Sequence, residues 1–484
     1  MTPSRVTDVA SRAAEPEVLA GRPAGGPAAP AAATAGAKRT RLLLEGPIVS
    51  TLLRLAAPNV VVNVVLIAVT ASVDAYFVGK LGPSALAGLS LVFPLLMLMQ
   101  QVANSSMGGA LASAIARSIG SGRRDDASSL VVHGMLIAGG MAALFTALVL
   151  AGGPTIYAVM GGRGEVLAAA VEYSAAIFGG ALVYWLLGAL TSVVRGTGQP
   201  TVLALVYIGA ELLHIALVPV LVFGVGPLPA LGITGAGLAT VISLSVSTGV
   251  LAWYVASGRT ALTLSLRRVR LQRRLFTEIL RVGAPMSLQP ILNNLALATM
   301  TAFVSTLGPT ALAGFGVAAR LEYVQYPLTF GLGAGVIAMV GTNLGADRSA
   351  RAARIAWTAA GLAVSLTGSV GLLAFMWPAA WTSFFSSSSA VQISAASYLC
   401  IAGLAYPFLG LGLTMASTFQ AAGRPIWPLL ATAGRVLVVA GGGWLAIHAL
   451  GTSVAGLGLV AASGLVVYGA TLAIALRAGA WGRR

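Results

Sequence analysis

Five ionisable residues stand in stretches that are otherwise apolar: Asp74, Glu211, His214, Glu322 and Arg435. On insertion scales a charge at bilayer depth costs about 3 kcal/mol, so each is a functional candidate by default. A buried carboxylate can hold a proton or stabilise a cation, but not both, and so couples the two by competition. Asp74 follows Asn63 by eleven residues, three helical turns, with Asn59 one turn earlier still. Glu211 and His214 lie one turn apart and share a helix face, adding a second carboxyl and an imidazole to the titratable set. Amides cluster at Gln100 and Asn104 and again at Gln289, Asn293 and Asn294. They either line a cavity or hydrogen-bond between helices. Tyr184, Trp185, Tyr323 and Tyr326 either stack on flat cations or anchor helices at the membrane interface.

The elements that position these groups are membrane spans. Hydrophobic residues make up 57% of the 484-residue chain, charged residues 9%, and mean hydropathy is +0.90. Soluble domains carry roughly 25% charged residues, so the chain reads as a polytopic membrane protein. Runs of about 20 apolar residues cross the hydrocarbon core. Six fall in each half, near 50–78, 84–108, 129–151, 166–190, 200–224 and 230–256, then 283–307, 312–340, 354–377, 391–418, 425–449 and 453–476. The halves repeat one another. Leu81-Gly-Pro-Ser-Ala-Leu-Ala-Gly88 returns as Leu307-Gly-Pro-Thr-Ala-Leu-Ala-Gly314, and Gly198-Gln-Pro200 returns as Gly423-Arg-Pro425. At the same offset Arg435 falls on Ala210, beside Glu211. The two charges either pair across a central cleft or each face their own bundle.

The expected organisation is an all-α integral membrane protein of twelve helices in two six-helix bundles, 45–256 and 283–477. A disordered tail over 1–44 precedes them, a basic linker over 257–282 joins them, and a short tail, 478–484, follows. Parallel six-span repeats place the pseudo-two-fold along the membrane normal. Arginines crowd the loops on one side, including Arg117, Arg123, Arg124, Arg195, Arg348 and Arg424, and the linker carries Arg267, Arg268 and Arg270. Only Lys80 and Arg163 lie in loops opposite. By the positive-inside rule both termini are cytoplasmic, in a cell (inner) membrane. The net charge of +16 therefore reflects loops facing anionic lipid headgroups and not a nucleic-acid partner. One cysteine, Cys400, excludes an intrachain disulfide.

Asp74-Ala-Tyr-Phe-Val-Gly-Lys-Leu-Gly82 resembles a signature of MATE (multidrug and toxic compound extrusion) transporters, of the MOP flippase superfamily. Arg117-Ser-Ile-Gly-Ser-Gly122, Arg195-Gly-Thr-Gly-Gln-Pro200, Arg320-Leu-Glu322, Val340-Gly-Thr-Asn-Leu-Gly-Ala346 and Phe419-Gln-Ala-Ala-Gly-Arg-Pro425 are similar to further motifs of that family. The resemblance covers about residues 45–477. It implies two bundles around a cleft that opens alternately to each side, and export of small, often cationic, organic compounds in exchange for protons or sodium. It assigns Asp74 to cation coupling. Two positions depart from the family pattern: the Asn-x-x-x-Asp-Pro of relatives reads His214 to Pro219 with Val218 for the aspartate, and Asn293 stands where some members carry glutamate.

The leading expectation is a proton-coupled secondary antiporter with coupling groups Asp74, Glu211 and His214. Its substrate cavity is expected at Asn59, Asn63, Gln100, Asn104, Gln289, Asn293, Asn294, Glu322 and Tyr326. The ion gradient is the energy source and no cofactor is expected; the protein is expected to be a monomer. Sodium coupling, a lipid-linked precursor flippase and a non-transporting receptor are the alternatives. No phosphate loop or nucleophile–base pair appears, so an enzyme is not expected.

Overall fold

The computed structural model of the chain describes residues 31–65, 71–260, 262 and 270–481, which are helical apart from turns and one isolated bridge between Val225 and Leu228. Helix α1 spans Ala31–Glu45, α2 Ile48–Val65 and α3 Ala71–Gly79. Helix α4, Pro83–Gln101, runs through a π-helical turn at Val102–Met107 into α5, Gly108–Gly120. Then come α6 (Arg124–Val159), α7 (Gly164–Gly179), α8 (Ala181–Gly196), α9 (Pro200–Phe223) and α10 (Gly232–Ala256). The second half holds α11 (Arg273–Ser305), α12 (Pro309–Gly345), α13 (Ser349–Met376) and the short α14 (Pro378–Phe385). It ends with α15 (Ser389–Ala402), α16 (Tyr406–Ala421), α17 (Ile426–His448) and α18 (Val454–Arg477).

Among the described residues nine helices are long and apolar enough to cross a bilayer. The number is ten when α7 and α8, bent by 46°, count as one span. Two more expected spans correspond to α2 with α3, on either side of residues 66–70 outside the described set, and to α11. The 33 residues of α11 are ample in length, but arginines and amides dilute its hydropathy. Side chains form one core from Val78 to Met286, which takes in the start of α11, and another from Met300 to Leu465, while a third cluster joins Leu52 and Leu55 of α2 to Val336 and Met339 of α12.

The expected disordered tail is helical from Ala31 onward, while residues 1–30 lie outside the described residues. Alanines favour the helix, and Leu43 gives it a buried anchor, 4% exposed. Leu43 packs against Gly198 of the first half, and its carbonyl accepts from Asn343 Nδ2 of the second at 3.0 Å. The last ten residues of the expected linker, 273–282, belong to α11, which begins at Arg273; Arg267 and Arg268 lie outside the described residues.

The halves meet at the end that carries the basic loops. There α5 is buried on every side from Gly108 to Ala116, and α12 from Gly331 to Asn343. Further along, α4 buries only Gly88, Val92, Leu96 and Met99, one stripe of a helix. The bundles are therefore closed over the basic end and diverge toward the other. Two glycines make the closure possible. A side chain at Gly120 would collide with the Thr342 carbonyl, and one at Gly345 with the Arg117 carbonyl. Gly120 and Gly345 are repeat equivalents, as are Arg117 and Thr342, so one contact is the other turned about a two-fold axis. Arg117 fastens the closure, with Nη1 donating to Ala421 O at 2.7 Å and Nη2 lying 3.3 Å from Glu278 Oε1.

Candidate functional site

Each bundle encloses its own polar centre. In the first, Asp74 of α3 faces His214 of α9, with Oδ1 and Nε2 separated by 3.0 Å. Both residues are buried, at 6% and 2% exposure. The imidazole is also within hydrogen-bonding reach of the Ala239 backbone of α10. Glu211, one turn back on α9 and also buried, is within electrostatic reach of the imidazole. A ring of hydroxyls surrounds the group. Tyr173 of α7 is within hydrogen-bonding reach of Asp74, Tyr184 of α8 meets the Gln100 amide, and Tyr207 shares a hydrogen with Thr191 at 3.1 Å. Two carboxyls and one imidazole can store and exchange protons while their charge sets what else the bundle will accept.

The second bundle is built on different chemistry. Arg435 of α17 donates from Nη2 to Glu322 Oε1 of α12 at 2.7 Å. Tyr326 touches both charges, and Tyr398, Tyr406 and Tyr468 lie within electrostatic reach. Gln289 of α11 donates to Thr432 Oγ1 at 3.1 Å and to the Pro428 carbonyl at 3.3 Å, tying α11 to α17.

The structure thus brings Asp74, Glu211, His214 and Gln100 together, and Glu322 and Tyr326 together, but in separate bundles. The cross-cleft pairing of Glu211 with Arg435 is not formed. The guanidinium reaches an acid of its own half instead, Glu322 of α12, across the interior of the second bundle. Asn59 lies apart from Asp74, toward the basic end, in a pocket it shares with Leu55, Arg195, Pro200, Ala334 and Gly335, and its Nδ2 donates to Leu55 O at 2.9 Å. The Asn63 side chain lies outside the described residues. Asn104 belongs to the π-helical turn, with its side chain beside Gly188 of α8. Asn293 is half-buried, and Asn294 is exposed and bonds Pro290 O of its own helix. Trp185 is a core residue rather than an interfacial anchor, at 2% exposure. Sequence reasoning passed over Tyr173, Tyr207, Tyr398, Tyr406 and Tyr468. The repeat held a clue: Tyr173 and Tyr398 are equivalents at the offset of 225, as are Gln100 and Gln325.

Paired helical bundles with a buried titratable centre, closed at one end and divergent at the other, define a polytopic membrane transporter. The MatE family model matches the chain twice, at residues 60–220 and 285–445, in register with the repeat. The chain belongs to the MatE family, whose members are transporters and not enzymes. It is 26% identical over 433 residues to the FAD transporter of Shewanella oneidensis, covering 86% of this chain and 90% of that one. It is 25% identical to the probable multidrug resistance protein NorM of Thermotoga maritima, covering 79% and 82%. A structure of a multidrug resistance MATE family transporter in an outward-facing conformation shares its fold. The TM-score is 0.81 at 23% identity, over 92% of this chain and 98% of that one.

Proposed function

We propose that this transporter exports small organic compounds by proton antiport, with the hydrogen-bonded pair Asp74–His214 and the neighbouring Glu211 as the coupling centre. The observation that carries the reading is the 3.0 Å contact between a buried carboxylate and a buried imidazole. A sodium ion prefers a shell of oxygens, whereas the partner of Asp74 Oδ1 here is a nitrogen that can carry a proton. The family's aspartate position is Val218, so Glu211 supplies the second carboxyl from the same helix. Proton entry neutralises the centre and releases a bound cation, and proton loss restores the charge. Closure over the basic, cytoplasmic end supports an outward-open state in which that exchange takes place with the outside.

The test is efflux from vesicles reconstituted with purified protein, under separately imposed pH and sodium gradients. Efflux should follow the inward proton gradient and be indifferent to sodium. Sodium-dependent efflux at fixed pH, without response to a proton gradient, would overturn the assignment of the coupling ion.

A further inference from the structure

The ion pair of the second bundle is not used by that coupling scheme. Arg435 and Glu322 sit mid-helix in α17 and α12, and their side chains remain 12% and 19% exposed, so the pair is within reach of a solute. Stability alone does not call for it. Apolar residues of similar volume usually serve a buried site as well as an ion pair does. The geometry is also incomplete. Guanidinium offers five donors in a planar fork suited to two-point capture of a carboxylate or phosphate. Here Nη2 alone meets Glu322, through one carboxylate oxygen at 2.7 Å, and Nε is buried with no acceptor among the described residues. The hydroxyl of Tyr406, within electrostatic reach of both charges, is likewise buried without a partner among the described residues. Unsatisfied buried donors are costly in the absence of something to fill them. Tyr326, Tyr398 and Tyr468 bring further hydroxyls within electrostatic reach of Arg435.

We infer that Arg435 is a substrate subsite for an oxyanion, a carboxylate or phosphate carried on an aromatic body, and that Glu322 is the group such an oxyanion displaces. The two bundles then read opposite ends of a substrate: carboxyls at Asp74 and Glu211 on one side, a guanidinium on the other. An amphoteric molecule is oriented by this polarity, its cationic end toward the first bundle and its acid toward the second. The inference rests on the transport reading only in placing substrate between the bundles, and binding tests it without any gradient.

The experiment uses the full chain in lipid nanodiscs and three flavins with the same ring: riboflavin, riboflavin 5′-phosphate and carboxymethylflavin. Binding is followed by quenching of flavin fluorescence. At least one of the two oxyanion flavins should bind about tenfold or more tightly than riboflavin, as hydrogen bonds to charged groups give. Preference for the phosphate or for the carboxylate identifies which oxyanion the site takes. Arg435→Gln should abolish the preference, Arg435→Lys should keep part of it, and Glu322→Gln should widen the preference for the oxyanion flavin over riboflavin. Equal binding of all three flavins, no binding of either oxyanion flavin, or a preference that survives in Arg435→Gln overturns the inference. If Arg435→Gln fails to fold, Glu322→Gln decides, and an unchanged preference there overturns it too. Binding as expected in a protein that shows no gradient-driven efflux would instead count against the transport mechanism alone.

Discussion

Asp74 and His214 are 140 residues apart in the chain and 3.0 Å apart in space. Each was legible as an ionisable residue in an apolar segment; their contact was not, because it depends on how α3 packs on α9. The same holds for Arg435 and Glu322, 113 residues apart, whose partner choice follows from which helices face each other inside a bundle. Two expectations follow at this scale. Asp74→Asn keeps the size and polarity of the side chain but cannot lose or gain the proton, so coupled efflux should fall to the level seen without a gradient. Circular dichroism and detergent monodispersity should stay as in the wild type. Glu211→Gln removes the second carboxyl while leaving the Asp74–His214 contact in place. It should lower proton-driven efflux by about tenfold, the consequence of about 1.4 kcal/mol in a barrier. Wild-type, gradient-dependent rates in Asp74→Asn would remove the coupling assignment, and wild-type rates in Glu211→Gln would leave Asp74 and His214 to act alone.

Among the elements, the apolar helices were legible and the polar ones less so. Among the described residues nine pass by length and hydropathy, while α11 is diluted by the very amides, Gln289, Asn293 and Asn294, that make it interesting. Helix α1 was misread because composition alone describes a solvated tail, whereas its end is fixed by tertiary contacts that a local reading does not contain. Its C-terminal turn and the residues just after it are pinned to the second half. Asn343, Arg348 and Arg351 donate to the carbonyls of Leu43, Leu44 and Gly46. It is tied to the first half by Leu43 against Gly198 and by Arg39 Nη1 donating to Arg259 O at 3.3 Å. A helix fastened to both halves at their closed end stabilises the closed arrangement. Each hydrogen bond adds about 1 kcal/mol, and only the contacts to the first half must break when the bundles part there. Deleting residues 1–45 should therefore shift the population toward opening at the basic end by severalfold. Hydrogen exchange in α5 and in the second half of α12 would report this, and unchanged protection would show that α1 lies on the protein without restraining it.

For the whole molecule, duplication makes a demand that neither half makes alone: symmetry-related positions should respond alike. Gly120 and Gly345 are far apart in the chain, yet each lies against the carbonyl of the other's repeat partner neighbourhood, Thr342 and Arg117. A larger residue at either position forces the same two helices apart at the same point. Overpacking of a tight contact costs about 1–3 kcal/mol, enough to move a two-state equilibrium by about fivefold to a hundredfold. Gly120→Val and Gly345→Val should then give matching losses of the closed state. Spin labels placed across the basic end, in a background with Cys400 replaced, should report longer distances in both. Gly139→Val is the control, because a Cβ there meets open space, and its distances should match the wild type. Two unlike phenotypes from the paired glycines would mean that the bundles, though repeated in sequence and in the family match, do not act as halves of one symmetric gate. Agreement between them, with the control unmoved, would tie alternating access to rigid rocking of the repeats about the axis that relates these two contacts.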